Sequence, residues 1–125
     1  MFEKKTKLPD AELEVMQIIW RCEPPVARAT VEEEMAKLRP MAQTTLLTLL
    51  TRLSDKGFVR IEKQGRSSVY TPLVSETDYQ ARQSKRFVDQ LFGGSMHAFA
   101  SALTASGLSK EDLAELRQLL EEDRL

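Results

Sequence analysis

Apolar residues near the start of the chain recur at helical spacing. Leu13, Met16, Ile19 and Trp20 lie on one face, so Asp10–Trp20 predicts an amphipathic helix with Asp10 and Glu12 in its first turn, where the helix dipole favours negative charge. Pro24-Pro25 ends it. Thr30 followed by Glu33 has the spacing of a capping box, which opens a second helix running toward Lys37 and closed by Pro40. The third helix, from about Ala42 to Lys56, sorts its side chains most clearly. Leu46, Leu49, Leu50 and Leu53 fall on one side; Thr44, Thr48 and Thr51 face the other way, with Thr45, Leu47 and Arg52 on the flanks. Gly57 supplies a left-handed cap at its end.

The period then changes from helical to alternating. From Phe58 to Gln64, Val59, Ile61 and Lys63 alternate with Arg60, Glu62 and Gln64. Gly65-Arg66 forms a two-residue turn, and Ser67–Thr71 returns as a second short strand before Pro72. Three helices followed by a basic hairpin describe a winged helix-turn-helix over residues 1–74, in a chain that is mainly α with a small β-hairpin wing.

Composition shifts at Ser75. Ser75-Glu-Thr-Asp78 caps a fourth helix with Val88, Leu91 and Phe92 near its end, and Gly93-Gly94 breaks the chain. Met96, Phe99, Ala100 and Leu103 mark a fifth helix ended by Gly107; Ser109-Lys-Glu-Asp112 caps a sixth with a face of Leu113, Leu116, Leu119 and Leu120. Three helices in about fifty residues are too small for a comfortable independent core. Residues 75–125 therefore predict a helical dimerisation domain, whose apolar stripes need either the winged helix of the same chain or the same segment of a second copy.

Composition narrows the function by exclusion. A chain of 125 residues with 30% charged positions fits a helix-rich globular protein. No apolar run approaches the roughly 20 residues that span a bilayer, and Met1–Lys5 does not open a leader peptide, so a cytoplasmic protein without membrane insertion is expected. Cys22 is the only cysteine and His97 the only histidine. Neither a phosphate-binding glycine loop nor a nucleophile elbow nor a paired-histidine spacing occurs, so no catalysis, metal or cofactor is expected. The net charge of -1 is a mild argument against nucleic-acid binding. Basic residues nevertheless outnumber acidic ones in residues 1–74, and the reverse holds in residues 75–125.

The third helix points to a partner. Threonine is a mediocre helix former, so an exposed row of it weakens a helix unless another purpose retains it. Short threonine side chains at Thr44, Thr45, Thr48 and Thr51 let the backbone approach a major groove. Their hydroxyls can meet base edges, and their methyls, with Leu47, can meet thymine methyls. Arg52 and the wing's Arg60, Lys63 and Arg66 would hold phosphates. The pattern alone leaves two other readings open: a winged helix that binds protein, and a regulator with a small ligand between tail and winged helix.

Particular stretches carry a family resemblance: Leu13-Glu-Val-Met-Gln-Ile-Ile-Trp20, Thr45-Leu-Leu-Thr-Leu-Leu-Thr-Arg-Leu53, Lys56-Gly57, Val69-Tyr70-Thr-Pro72, Phe92-Gly-Gly-Ser95 and Leu108-Ser-Lys-Glu-Asp-Leu-Ala-Glu-Leu116. With these the chain, from about Leu8 to Glu121, resembles the penicillinase-repressor family of bacterial winged-helix regulators, which includes the methicillin-resistance and β-lactamase repressors. The resemblance implies a homodimer through the C-terminal helices and an operator of inverted half-sites with TACA and TGTA cores in double-stranded DNA. It marks Thr45 and Thr48 as base readers and Arg52 as a phosphate anchor. It also implies release of the operator when a membrane sensor metallopeptidase leads to a cut in the dimerisation region. That position aligns near Ala102-Leu103, where relatives have an Asn–aromatic bond. The chain departs from relatives again at Thr44 and Leu47, where they often carry basic side chains, and it ends without the cysteine-rich tail of the copper-responsive branch.

Overall fold

Residues 7–122 are described in the computed structural model. They form α1 (Asp10–Arg21), β1 (Val26–Ala27), α2 (Arg28–Leu38), α3 (Gln43–Asp55), β2 (Val59–Gln64), β3 (Ser67–Pro72), α4 (Glu76–Phe92), α5 (Met96–Ala105) and α6 (Lys110–Glu122). Two compact units result, one reaching to Gln83 and the other starting at Ser84.

In the first unit α1 is central, touching α2, α3 and β3. It therefore buries more than the single stripe its spacing predicts. Val15, Met16, Ile18 and Ile19 are enclosed, while Leu13 and Trp20 are half-buried at the margin of the core. Leu46, Leu49, Leu50 and Leu53 of α3 join them, with Val31 and Met35 of α2 and Phe58, Val59 and Tyr70 from the sheet region. Burying a leucine contributes about 1.5–3 kcal/mol, whereas a threonine costs no more than about 0.7 kcal/mol of helix propensity. The leucine face thus decides that α3 is a helix, and its threonines are carried along.

The second helix begins two residues before the expected cap. Thr30 lies inside α2, and the N-cap is Ala27, extended and without a side-chain hydrogen bond. The cause is β1: Val26 and Ala27 pair antiparallel with Tyr70 and Val69, so the sheet ladder holds the backbone where the helix starts. The expected hairpin is therefore two strands of a three-stranded sheet of order β1-β3-β2. Gln64 opposes Ser67 across the turn, where Gly65 has φ +67° and Arg66 keeps a negative φ, the pattern of a type II′ turn.

Gly57 joins α3 to the wing. At φ 83° it reverses the chain, with Phe58 N–H donating to the Leu53 carbonyl at 2.9 Å and Gly57 N–H to the Ser54 carbonyl at 3.0 Å. This paired closure places Phe58 and Leu53, both fully buried, at the same corner of the core.

The first unit extends beyond the 74/75 junction because the start of α4 packs into it. Ser75 Oγ caps α4 by accepting from Asp78 N–H at 3.0 Å. Tyr79 is buried, with its hydroxyl accepting from Leu8 N–H at 2.8 Å and its ring 5.7 Å from those of Trp20 and Phe58. Trp20 Nε1 donates to the Val74 carbonyl at 2.9 Å.

In the second unit Phe87, Phe92 and Phe99 meet edge to face, with centroids 5.6 to 6.4 Å apart. Ser95 and Ser109 cap α5 and α6, each accepting from the N–H three residues ahead at 3.0 Å. Val88 alone is buried among the described residues of this unit.

Replacing Gly57 with alanine forces a Cβ into the left-handed region. Urea unfolding of Gly57→Ala is expected to show a loss of about 1–2 kcal/mol; an unchanged midpoint would mean the turn does not constrain the corner.

Candidate nucleic-acid interface

With its leucines turned inward, α3 presents Thr44, Thr45, Thr48, Thr51 and Arg52 to solvent, and no acidic residue occurs between Gln43 and Leu53. Leu47 is half-buried and packed against the core, so only part of it reaches this surface. Thr48 Oγ1 donates to the Thr44 carbonyl at 3.0 Å. That bond uses the hydroxyl proton, leaving Thr48 an accepting oxygen and a methyl for any external partner. At the other end of the helix's first turn, Gln43 Nε2 donates to Glu32 Oε2 at 3.0 Å, and Arg28 Nε lies 3.4 Å from the same oxygen. This link ties the start of α3 to α2. The sequence pattern did not single out Gln43; an amide in the first turn beside a threonine row was the available signal.

The wing divides its cations. Arg60 opposes Thr71 and shares its face with Glu62, whose Oε2 lies 3.5 Å from Arg60 Nε. Lys63 opposes Ser68 on the other face, the one that carries Val59 and Ile61. Arg66 sits at the exposed turn. The three wing cations therefore do not share one face.

Ion pairs settle where positive charge is left uncompensated. On α1 and α2, Arg21 and Lys37 pair with Glu34 at 3.6 and 3.0 Å, Arg28 with Glu32, and Arg39 with Glu14 at 2.9 Å. The Glu34 hydrogen bond and charge hold the Lys37 pKa above its ordinary value. Such exposed pairs add little stability, but they cancel charge locally. Among the described residues, Arg52, Lys63 and Arg66 form no ion pair. A net charge of -1 thus coexists with uncompensated cations on α3 and the wing.

One further pair lies inside. Lys56 Nζ is 2.5 Å from Glu12 Oε1, and Glu12 is only 3% exposed. Its signal in the sequence was an acid three and four residues before the buried Val15 and Met16, on the apolar side of α1.

The expected tail residues form a partly covered surface. Phe92, Phe99, Leu103 and Leu113 are half-buried; Leu91, Met96, Leu116, Leu119 and Leu120 are exposed, Leu91 by 63% and Leu120 by 68%. Neither α5 nor α6 has a buried residue. Ala102 and Leu103 lie within α5, both half-buried. Among the described residues no group of three His, Cys, Asp or Glu side chains could hold a metal ion, and no helix is long and apolar enough to cross a membrane.

Known proteins share this arrangement. The chain is 35% identical over 123 residues to the penicillinase repressor of Bacillus licheniformis, covering 98% of this chain and 95% of that one. It is 31% identical over 121 residues to the methicillin resistance regulatory protein MecI of Staphylococcus aureus strain N315, covering 96% and 98%. The solution structure of the DNA-binding domain of the repressor BlaI is similar with a TM-score of 0.55 at 38% identity, over 63% of this chain and 94% of that one. A second solution structure, Bacillus licheniformis BlaI in monomeric form in complex with the blaP half-operator, has a TM-score of 0.50 at 39% identity, over 59% and 89%. The profile of the penicillinase repressor family matches residues 8–122, and the chain belongs to that family.

Proposed function

We propose that this chain is a transcriptional repressor that binds double-stranded operator DNA as a homodimer, each winged helix placing α3 in the major groove of one half-site. The observation that carries the reading is the acid-free threonine row of α3 flanked by Arg52, with uncompensated Lys63 and Arg66 on the wing. Thr44, Thr45, Thr48 and Thr51 face base edges. Thr48, whose proton is engaged, accepts from an amino group of adenine or cytosine, or sets its methyl against that of thymine. Arg52, Lys63 and Arg66 hold phosphates and set register. Arg60 contributes less, because Glu62 shares its charge. Leu47 adds an apolar contact from its exposed edge.

The tail pairs two copies. An α5 and an α6 without one buried residue, and leucines as exposed as Leu119 and Leu120, are what a helical surface looks like before a second copy covers it. A symmetric pair requires a pseudo-palindromic operator, and joining two half-sites raises affinity by roughly 10²–10⁴ over one. The protein acts in the cytoplasm and performs no catalysis of its own. Release by a membrane sensor metallopeptidase fits the Ala102–Leu103 bond in α5. A cut there divides the tail, weakens the pairing and removes the avidity, although α5 must first open locally to enter a protease.

Gel-shift titration of Arg52→Ala is expected to show weaker binding on every sequence and a salt slope lower by about one. Thr48→Ala is expected to lose about 1–3 kcal/mol at particular base pairs only. A chain that acts as a protein-interaction module would show neither effect. Leu119→Glu with Leu120→Glu is expected to sediment as a monomer and to keep half-site binding, while its affinity for the full operator falls by roughly 10²–10⁴.

A further inference from the structure

We infer that the part-buried Glu12–Lys56 pair is a positioning device for DNA reading, fixing how α3 and the wing leave α1; the inference rests on the proposed repressor function. The other ion pairs among the described residues of the first unit join side chains that are each at least 28% exposed, whereas Glu12 is enclosed and Lys56 is 29% exposed. A pair with one charge enclosed is a poor source of stability, because burying a charge costs desolvation that two apolar side chains of similar volume avoid. Its advantage is direction. The leucine face of α3 packs on α1 through apolar contacts, which resist separation but are non-directional. A charge-assisted hydrogen bond of 2.5 Å ties one atom to one atom.

Its place in the chain makes that direction matter. Lys56 is the C-cap of α3, Gly57 makes the turn, and β2 begins at Val59. Glu12 thus grips the chain where recognition helix ends and wing begins. Sliding of α3 along α1 would move the threonine row and the wing together. Hydrogen bonds to base edges lose their strength over a few tenths of an ångström, so a small slip erodes sequence reading. Phosphate contacts made by long, flexible cations tolerate the same slip. Lys56 itself, held by Glu12, is not one of the phosphate-binding cations.

The test uses the full chain, a duplex that it enriches from a random-sequence pool, and a scrambled duplex of equal length. Glu12→Met with Lys56→Met is expected to unfold at an equal or higher urea concentration than the wild type. Its affinity for the enriched duplex is expected to fall roughly tenfold, the equivalent of one good base contact, with unchanged binding to the scrambled duplex and an unchanged salt slope. Wild-type affinity for the enriched duplex overturns the inference. So does an equal loss on both duplexes with a shallower salt slope, which would make Lys56 a phosphate contact. If the double variant fails to fold by circular dichroism, Glu12→Gln takes its place: it keeps the shape and an accepting oxygen. A smaller loss confined to the enriched duplex supports the inference, and none overturns it. Failure of the wild type to enrich any sequence would instead bring down the proposed function itself.

Discussion

Burial of Leu46, Leu49, Leu50 and Leu53 against α1 is the constraint from which the first unit follows. A helix that gives one side to a core must give the opposite side to water, and on α3 that opposite side is threonine. The partner of the core face thereby selects the outward face, with no separate device needed to present it. Gly57 and the Phe58–Leu53 corner then turn the chain so that the strand leaving the helix begins at the edge of the same core. The outward face of α3 and the start of the wing are two consequences of one packing arrangement.

The parts legible in the sequence were those governed by local periodicity and by single-residue chemistry. The α3 leucine pattern, the glycines at Gly57 and Gly65, and the serines ahead of α4 and α6 each act within a few residues, and each element appears where they place it; the Ser95 cap of α5 emerges only in the structure. Contacts between distant segments were not legible. β1 is two residues long and exists only because Val26 and Ala27 meet Tyr70 and Val69, so Thr30 looked like a cap. Glu12 looked like a dipole-stabilising surface acid, while its partner Lys56 lies in another helix's cap. The alternation of β2 correctly separates Arg60 from Lys63, but only the ion pairs show which cations stay uncompensated. Tyr79 shows the same limit: its hydroxyl reaches back to Leu8, drawing the start of α4 into the first unit beyond the compositional break at Ser75.

The two units differ in how complete they are. The first encloses a core shared by three helices and a sheet. The second has an aromatic trio and a buried Val88, and leaves its other described apolar side chains partly or fully exposed. In the proposed homodimer the stability of such a unit would depend on concentration, because a partner that binds only the folded form shifts its equilibrium by mass action. Control of the tail is therefore control of assembly, and in the proposed mechanism assembly is what makes half-site binding strong enough to repress.

The placement of the ion pairs bears on how such a protein searches a genome. Beyond a Debye length, about 8 Å at physiological ionic strength, individual cations merge into a nearly neutral whole, so the molecule feels little long-range pull toward bulk DNA. In the proposed complex, Arg52, Lys63 and Arg66, which form no ion pair among the described residues, would act at contact distance. Non-specific DNA, whose attraction is almost wholly ionic, would have only these few cations by which to hold the proposed repressor. In the proposed mechanism such an arrangement favours sites where the bases also fit.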